Sequence, residues 1–225
     1  MNPTKVFVEN GQKRIFVGAV EWPGWCRSGR DEKTAIQALL DYGPRYARVL
    51  YGREIEFQPP GDTSDLVVVE RRDGNATTDF GAPAVILAAD RAPIDSAEFE
   101  RLQTALQACW QAFDRAVQQA TDRELRKGPR GGGRDMEMIL EHVLAADQEY
   151  LARLSWKHKR ESGENPTEQL GQMRRSILNA LEAAANGALP EKGPRGGTLW
   201  PPGYFIRRVA WHVLDHAWEI EDRVV

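Results

Sequence analysis

The sequence contains very little cysteine. Only two of its 225 residues are cysteine, Cys26 and Cys109, and they do not form a CxxC pair. Two cysteines cannot build a disulfide framework, and a zinc site made of cysteines alone is excluded. We therefore expect two buried free thiols in a protein of a reducing compartment, with a single disulfide as the open alternative.

Long apolar runs and an excess of either charge are also missing. Lysine and arginine number 30 against 33 aspartate and glutamate, a formal net charge of -3. This balance gives no sign of nucleic-acid binding, and no apolar run approaches the length of a membrane span. The first residues, MNPTKVFVEN, lack the apolar stretch of a signal peptide. We expect a cytoplasmic protein with a small-molecule substrate and with neither a nucleic-acid nor a membrane partner.

The first part of the chain, residues 1–90, has the pattern of a small α/β domain. Two runs rich in Val, Ile and Phe flank the turn dipeptide Asn10-Gly11, which predicts a β-hairpin. Asp31 opens a helical pattern, in which Gly43-Pro44 is expected to break or kink the helix. The run DLVVVERR at residues 65–72 predicts a third strand, so the predicted order is β-β-α-β.

The second part, residues 91–225, has the pattern of four amphipathic helices with Gly/Pro-rich connections. The first has Asp95 or Ser96 as its N-cap and acidic residues in its first turn. The others are expected at about residues 135–154, 167–185 and 203–223. The chain is therefore predicted to be an α+β protein with a C-terminal antiparallel four-helix bundle, and the boundary is expected within residues 88–93.

Three of the four histidines are placed where they could meet. His212 and His216 stand four residues apart in a predicted helix, which puts their Cβ atoms about 5–6 Å apart on one face. His142 joins them if the second and fourth helices face each other, whereas His158 is expected at the surface. Three neutral histidines plus water is the pattern of an open, reactive metal site. Two alternatives stay open: an HxxxH pair is common by chance, and a single buried histidine is usually a core residue with its hydrogen bonds satisfied.

Acidic residues are spaced to orient these histidines. Glu219 follows His216 by three residues, and Asp215 follows His212 by three. Asp215 is a candidate for accepting a hydrogen bond from a metal-bound histidine or for acting as a fourth metal ligand. Asp135 precedes the histidine of the second helix by two turns and shares its face. Each is a candidate for orienting a histidine or acting as a general base. The alternative is ordinary pairing with nearby arginines, namely Arg207, Arg208 and Arg223.

The helix pattern and the histidines together resemble the DinB-like superfamily, also called the DinB/YfiT metalloprotein fold. AWHVLDHAWEIEDR looks like the signature of that family's last helix, and EHVLAADQEYLARL looks like its second-helix motif. The resemblance covers about residues 95–225 and implies His142, His212 and His216 as ligands of a divalent metal, zinc or nickel. It also implies a homodimer and a metal-dependent thiol (S-)transferase, using a low-molecular-weight thiol such as mycothiol or bacillithiol, or a hydrolase.

The first half resembles the HicB-like antitoxin fold. There a hairpin is followed by a Pro-Gly-aromatic segment, here EWPGWC, and by a helix with an acidic or threonine cap. The resemblance implies an accessory domain that covers the bundle or mediates dimerisation, with Trp22 and Trp25 in its core or interface. Two alternatives to an enzyme stay open. One is a non-catalytic, metal-stabilised scaffold or ligand-binding protein, and the other is an antitoxin-like protein that binds a partner through the first half.

The hexapeptide KGPRGG occurs twice, once before the second predicted helix and once before the fourth. These two helices start at the same end of an up-down bundle, so the two loops are expected to stand near each other. Helix N-termini and arginine side chains both favour anions. Arg130 and Arg195 are thus candidates for receiving an anionic group of a substrate or thiol cofactor. Two flexible surface connections are the open alternative.

Overall fold

The chain folds into a sheet-containing N-terminal half and a helical C-terminal half. The computed structural model describes residues 3–127, 133–158, 165–190, 192–193 and 197–225. The strands are β1 (Thr4–Asn10), β2 (Ile15–Ala19), β3 (Cys26–Gly29) and β4 (Leu66–Asp73). The helices are α1 (Glu32–Asp41), α2 (Gly43–Leu50), α3 (Ala76–Phe80), α4 (Ser96–Gln119), α5 (Met136–Ala152), α6 (Pro166–Ala185) and α7 (Pro202–Arg223).

The sheet has the order β3-β2-β1-β4 and contains the predicted hairpin. β1 pairs antiparallel with β2, with Val8 opposite Val17, and β4 joins β1 in parallel. The predicted order β-β-α-β missed β3, which pairs antiparallel with β2 through Gly18 and Cys26. This four-residue strand, CRSG, has no β-branched or aromatic side chain, so its own sequence does not mark it as a strand.

The helical segment after β3 begins and divides where the sequence predicts. Asp31 is the N-cap of α1 and accepts a hydrogen bond from the backbone N–H of Thr34 at 2.7 Å, within a capping box. The helix stops at Asp41, and α2 starts at Gly43 with Pro44 in its first turn. Proline at this position needs no helical N–H partner, which is why it starts a new helix here.

The second half contains four long helices within the described residues, α4 to α7. Asp95 caps α4 by accepting from the N–H of Glu98 at 2.9 Å. α6 ends before Gly187, whose φ of +67° lies in the left-handed region that favours glycine. α7 contacts each of the other three, and α5 contacts α6, which is compatible with the predicted four-helix bundle. None of the described helices is long and apolar enough to cross a membrane.

One large cluster of buried side chains joins the two halves. It contains Val8 and Leu39 from the first half together with Phe113 and Val213 from α4 and α7. Trp25 is fully buried in it, as expected for a core residue, and its indole N–H donates to the carbonyl of Leu39 at 2.9 Å. The apolar core therefore continues across the predicted boundary at residues 88–93.

α7 lies at the centre of this arrangement, and most of its residues are buried. Towards the sheet, Trp211 meets the ring of Phe16 edge-on, with ring centroids 6.0 Å apart, in a second and smaller apolar cluster. The next residue, His212, contacts α5 instead, through His142. A single helix thus carries one face for the sheet and another for the histidine site.

Candidate metal centre

The structure brings the three predicted histidines together between α5 and α7. His142 comes from the middle of α5, while His212 and His216 lie one turn apart on α7. Their possible ligand atoms all lie within 4.8 Å of one another. The Nε2 atoms of His142 and His212 are 3.2 Å apart, close to the ~3.3–3.4 Å between two nitrogens bound tetrahedrally to zinc at about 2.0–2.1 Å. The donor set therefore fits a divalent ion.

Burial keeps two of these imidazoles neutral. It lowers the pKa of His142 to about 4, helped by the charges of His216 and Arg134. Burial also lowers the pKa of His212 well below its ordinary value, with the other two histidines acting in the same direction. A metal binds the unprotonated ring nitrogen, so at neutral pH both residues are in the form that ligation needs.

Glu219 orients the third histidine. Its Oε2 lies 2.8 Å from Nδ1 of His216, and its other oxygen accepts from the guanidinium of Arg223. The hydrogen bond with His216 is the main cause of the lowered pKa of Glu219, and the hydrogen bond from Arg223 acts in the same direction. A carboxylate on Nδ1 fixes the proton there and leaves Nε2 for a metal, which is the arrangement usual around protein metal sites.

The other two predicted carboxylates have partners of their own. Asp135 is the N-cap of α5 and accepts from the N–H of Met138 at 2.9 Å. Asp215 forms an ion pair with Arg27 of β3 at 3.1 Å, so it links α7 to the sheet. Among the described residues, the histidine cluster includes neither of them.

The two arginines of the repeated hexapeptide, Arg130 and Arg195, lie outside the described residues. The flanks of the first copy are described, and both are attached to the end of α7. Arg223 donates through Nε to the carbonyl of Arg126 at 3.0 Å and through Nη2 to the carbonyl of Arg134 at 2.7 Å. The chain on both sides of this loop is thus held by the residue that also contacts Glu219.

Two side chains that the sequence analysis did not select border the cluster. The ring centroid of Tyr150 is 5.7 Å from that of His212, and the guanidinium carbon of Arg208 lies 5.3 Å from the centroid of Tyr150. Arg208 precedes His212 by four residues, a spacing that puts both on one helix face. That spacing is the available signal, but the sequence pattern indicates Arg208 only as an alternative partner for the nearby carboxylates.

The remaining histidine and the two cysteines are not part of the histidine cluster. His158, expected at the surface, is half-buried, with Nδ1 2.8 Å from Oγ of Ser176. Cys26 and Cys109 are buried and unpaired, which confirms the expectation of free thiols. Burial raises the pKa of both thiols, so neither is a reactive thiolate at neutral pH.

These features define a class of helical protein in which two helices contribute three histidines to one candidate metal centre. Residues 105–220, just over half of the chain, match the family model of the DinB superfamily. The chain belongs to the DinB superfamily, as its last helix and histidine pattern indicated. No curated protein and no solved structure matched it. The HicB-like resemblance of the first half stays a prediction.

Proposed function

We propose that this chain is a divalent-metal-dependent enzyme, a thiol (S-)transferase or a hydrolase, with zinc or nickel held by three histidines. The observation that carries the proposal is the 3.2 Å approach of Nε2 of His142 to Nε2 of His212, two imidazoles that are neutral at pH 7. A divalent ion held by neutral ligands keeps its charge and lowers the pKa of a bound thiol or water, so that a nucleophile is available near neutral pH.

The residues around the cluster have distinct tasks in this proposal. His142, His212 and His216 provide three nitrogen donors, of which those of His142 and His212 are neutral at pH 7. Glu219 holds the proton on Nδ1 of His216 and so keeps Nε2 directed away from itself. The ring of Tyr150 packs edge-on against His212 and limits access of water on that side. Every cysteine in the chain is buried, so the thiol of a transferase reaction comes from a separate small molecule.

A metal-stabilised scaffold without turnover is the second candidate. It is favoured by the partners of the three candidate bases: Asp135 caps a helix, Asp215 pairs with Arg27, and Glu219 is engaged by His216 and Arg223. A hydrolase needs a group that accepts a proton from water. A thiol transferase needs it less, because a metal-bound thiol ionises readily. The same observation therefore favours the transferase over the hydrolase.

The first experiment measures bound metal. The parent protein is purified without chelator and analysed by elemental mass spectrometry, beside His212→Ala and His158→Ala. The matched control, His158→Ala, removes a histidine that contacts Ser176 instead of the cluster. We expect one equivalent of metal in the parent and in the control, and a small fraction in His212→Ala. A parent that holds no metal, and binds none when zinc or nickel is added, contradicts the proposal.

The second experiment separates enzyme from scaffold. The protein is loaded with cobalt(II), whose visible spectrum reports its ligands, and titrated with mycothiol and with bacillithiol. A thiolate-to-cobalt charge-transfer band is expected for the transferase, because a sulfur atom then enters the coordination sphere. An unchanged spectrum with both thiols, in a protein that holds a full equivalent of cobalt, favours the scaffold or the hydrolase. Hydrolysis of ester and amide substrates then decides between these two.

A further inference from the structure

α7 carries two consecutive arginines that are both buried. Arg207 is 6% exposed and Arg208 is 8% exposed. A guanidinium stays charged at every pH that a protein tolerates, so it cannot reduce the cost of burial by losing its proton. A buried charge of this kind is normally matched by a carboxylate or by another anion.

Arg207 has such a partner. Its Nε and Nη2 atoms donate to the two carboxylate oxygens of Asp90 at 3.2 and 2.6 Å, and Asp90 is itself buried. Nη2 also donates to the carbonyl of Val85 at 2.9 Å. The bidentate ion pair with Asp90 neutralises the positive charge of Arg207 and attaches α7 to the segment that precedes it.

Arg208 has no such partner. Its Nη1 donates to the backbone carbonyl of Pro83, and its guanidinium carbon lies 5.3 Å from the ring centroid of Tyr150 and 5.0 Å from that of Trp211. Among the residues that the structure describes, no carboxylate forms an ion pair with it. The carbonyl and the two rings orient the guanidinium, but none of them cancels its charge.

The unbalanced charge lies beside the histidine cluster. Arg208 is one helical turn before His212 on the same face of α7. The ring of Tyr150 contacts both, since its centroid is 5.7 Å from that of His212. The charge of Arg208 also contributes to the lowered pKa of His212, after burial and the other two histidines. A group bound at Arg208 is therefore next to whatever binds at the cluster.

We propose that Arg208 binds an anionic oxygen group, a carboxylate or a phosphate, of the small molecule that reacts at the metal centre. This inference rests on the proposed function and deepens it by naming the charge class of the ligand. The planar guanidinium offers parallel N–H donors that match two oxygens of such a group. One donor is committed to the carbonyl of Pro83 and another interacts with the hydroxyl of Tyr150, which leaves the remaining donors for the ligand and makes the N-terminal half part of the binding site.

Binding of simple anions tests this assignment directly. Acetate and inorganic phosphate are titrated in separate calorimetric experiments into the zinc-loaded parent, Arg208→Gln, Arg208→Lys and Arg207→Lys. The last is the matched control: it makes the same change at the neighbouring position and keeps a cation beside Asp90. We expect the parent and the control to bind one of the two anions. Arg208→Gln should bind it roughly 10- to 100-fold more weakly, because a charge-assisted hydrogen-bonding partner is lost. The anion that binds more tightly identifies the class.

Arg208→Lys keeps the charge but loses the planar fork, so its affinity should fall between those of the parent and Arg208→Gln. It also decides the question if Arg208→Gln does not fold. Equal affinity in the parent and in Arg208→Lys, or an affinity lost equally in Arg207→Lys, overturns the inference, and so does a parent that binds neither anion.

The zinc content of each sample separates the two proposals. Missing zinc in the parent contradicts the metal centre. Anion binding that depends on Arg208 in the metal-free His212→Ala protein would still support the arginine site. Full zinc with anion affinity that is the same in all four proteins contradicts the arginine site alone.

Discussion

Replacing Asp147 with asparagine tests for a carboxyl group that takes up a proton when the chain folds. Asp147 lies on α5 and is 1% exposed, and neither of its carboxylate oxygens has a hydrogen-bond partner among the described residues. Arg174 of α6 acts on it through its charge, but this guanidinium donates to Asp114 of α4 at 2.7 Å. Burial therefore dominates, and it raises the pKa of Asp147 to about 7.

The raised pKa of Asp147 makes the stability of the folded protein depend on pH. The unfolded chain releases the proton near pH 3.9, whereas the native protein keeps it up to about pH 7. The native state thus binds more protons between these values, and its stability falls as the pH rises through this window. Between pH 5 and pH 8 the loss attributable to Asp147 is about 2.5 kcal/mol, because each pH unit inside the window is worth up to about 1.4 kcal/mol.

Urea unfolding at pH 5, 6, 7 and 8 measures the free energy of unfolding of the parent and of Asp147→Asn, both with chelator so that metal binding adds no pH dependence. The difference between the two proteins cancels the groups that they share. We expect the parent to lose about 2.5 kcal/mol relative to the variant between pH 5 and pH 8. Glu149→Gln, which changes an exposed carboxylate on the same helix, should follow the parent. Parallel curves for the parent and Asp147→Asn would refute the reasoning.

Three further predictions concern the site and the thiols. Glu219→Gln should weaken metal binding by roughly 10- to 100-fold, because His216 loses the carboxylate that fixes its proton. Competition with a chromogenic chelator measures the metal affinity, and an unchanged affinity contradicts the orienting role of Glu219. Adding zinc at a hundred times its dissociation constant should stabilise the parent by about 2.7 kcal/mol and raise its melting temperature, while His212→Ala should respond little. Cys26 and Cys109 should resist iodoacetamide in the native protein and react in urea, because both are buried and their pKa values are raised. The intact mass of the protein reports the adducts. Rapid labelling of the native protein would show that one thiol is accessible and would contradict the prediction.

The helices were predictable because their signals are local. An apolar stripe with a capping residue at its start is present within each segment itself, as with Asp31 and Asp95. The break before α2 depends only on the adjacent pair Gly43-Pro44. β3 was missed because its pairing with β2 depends on tertiary contacts, and its four residues carry no strand propensity of their own.

The site was predictable where its geometry depends on spacing within one helix. The four-residue interval puts His212 and His216 on one face, and Glu219 reaches His216 from the next turn. Roles that depend on remote partners were not predictable. Asp215 pairs with Arg27, which is 188 residues away in sequence, and no local pattern of α7 indicates that choice. The same limit applies to Arg208, whose lack of a carboxylate partner is a property of the fold.

The central position of α7 has a consequence for how the chain acquires its structure during synthesis. Its contacts with the sheet half join residues far apart in sequence, and Arg27 and Asp215, for example, are 188 residues apart. At the usual elongation rate of about 5–20 residues per second, α7 leaves the ribosome roughly 10–40 s after β3. Until then Phe16 lacks the tryptophan ring that covers it. During this interval the nascent sheet half exposes an apolar surface around Phe16. Exposed apolar surface of this kind is what ribosome-associated chaperones bind.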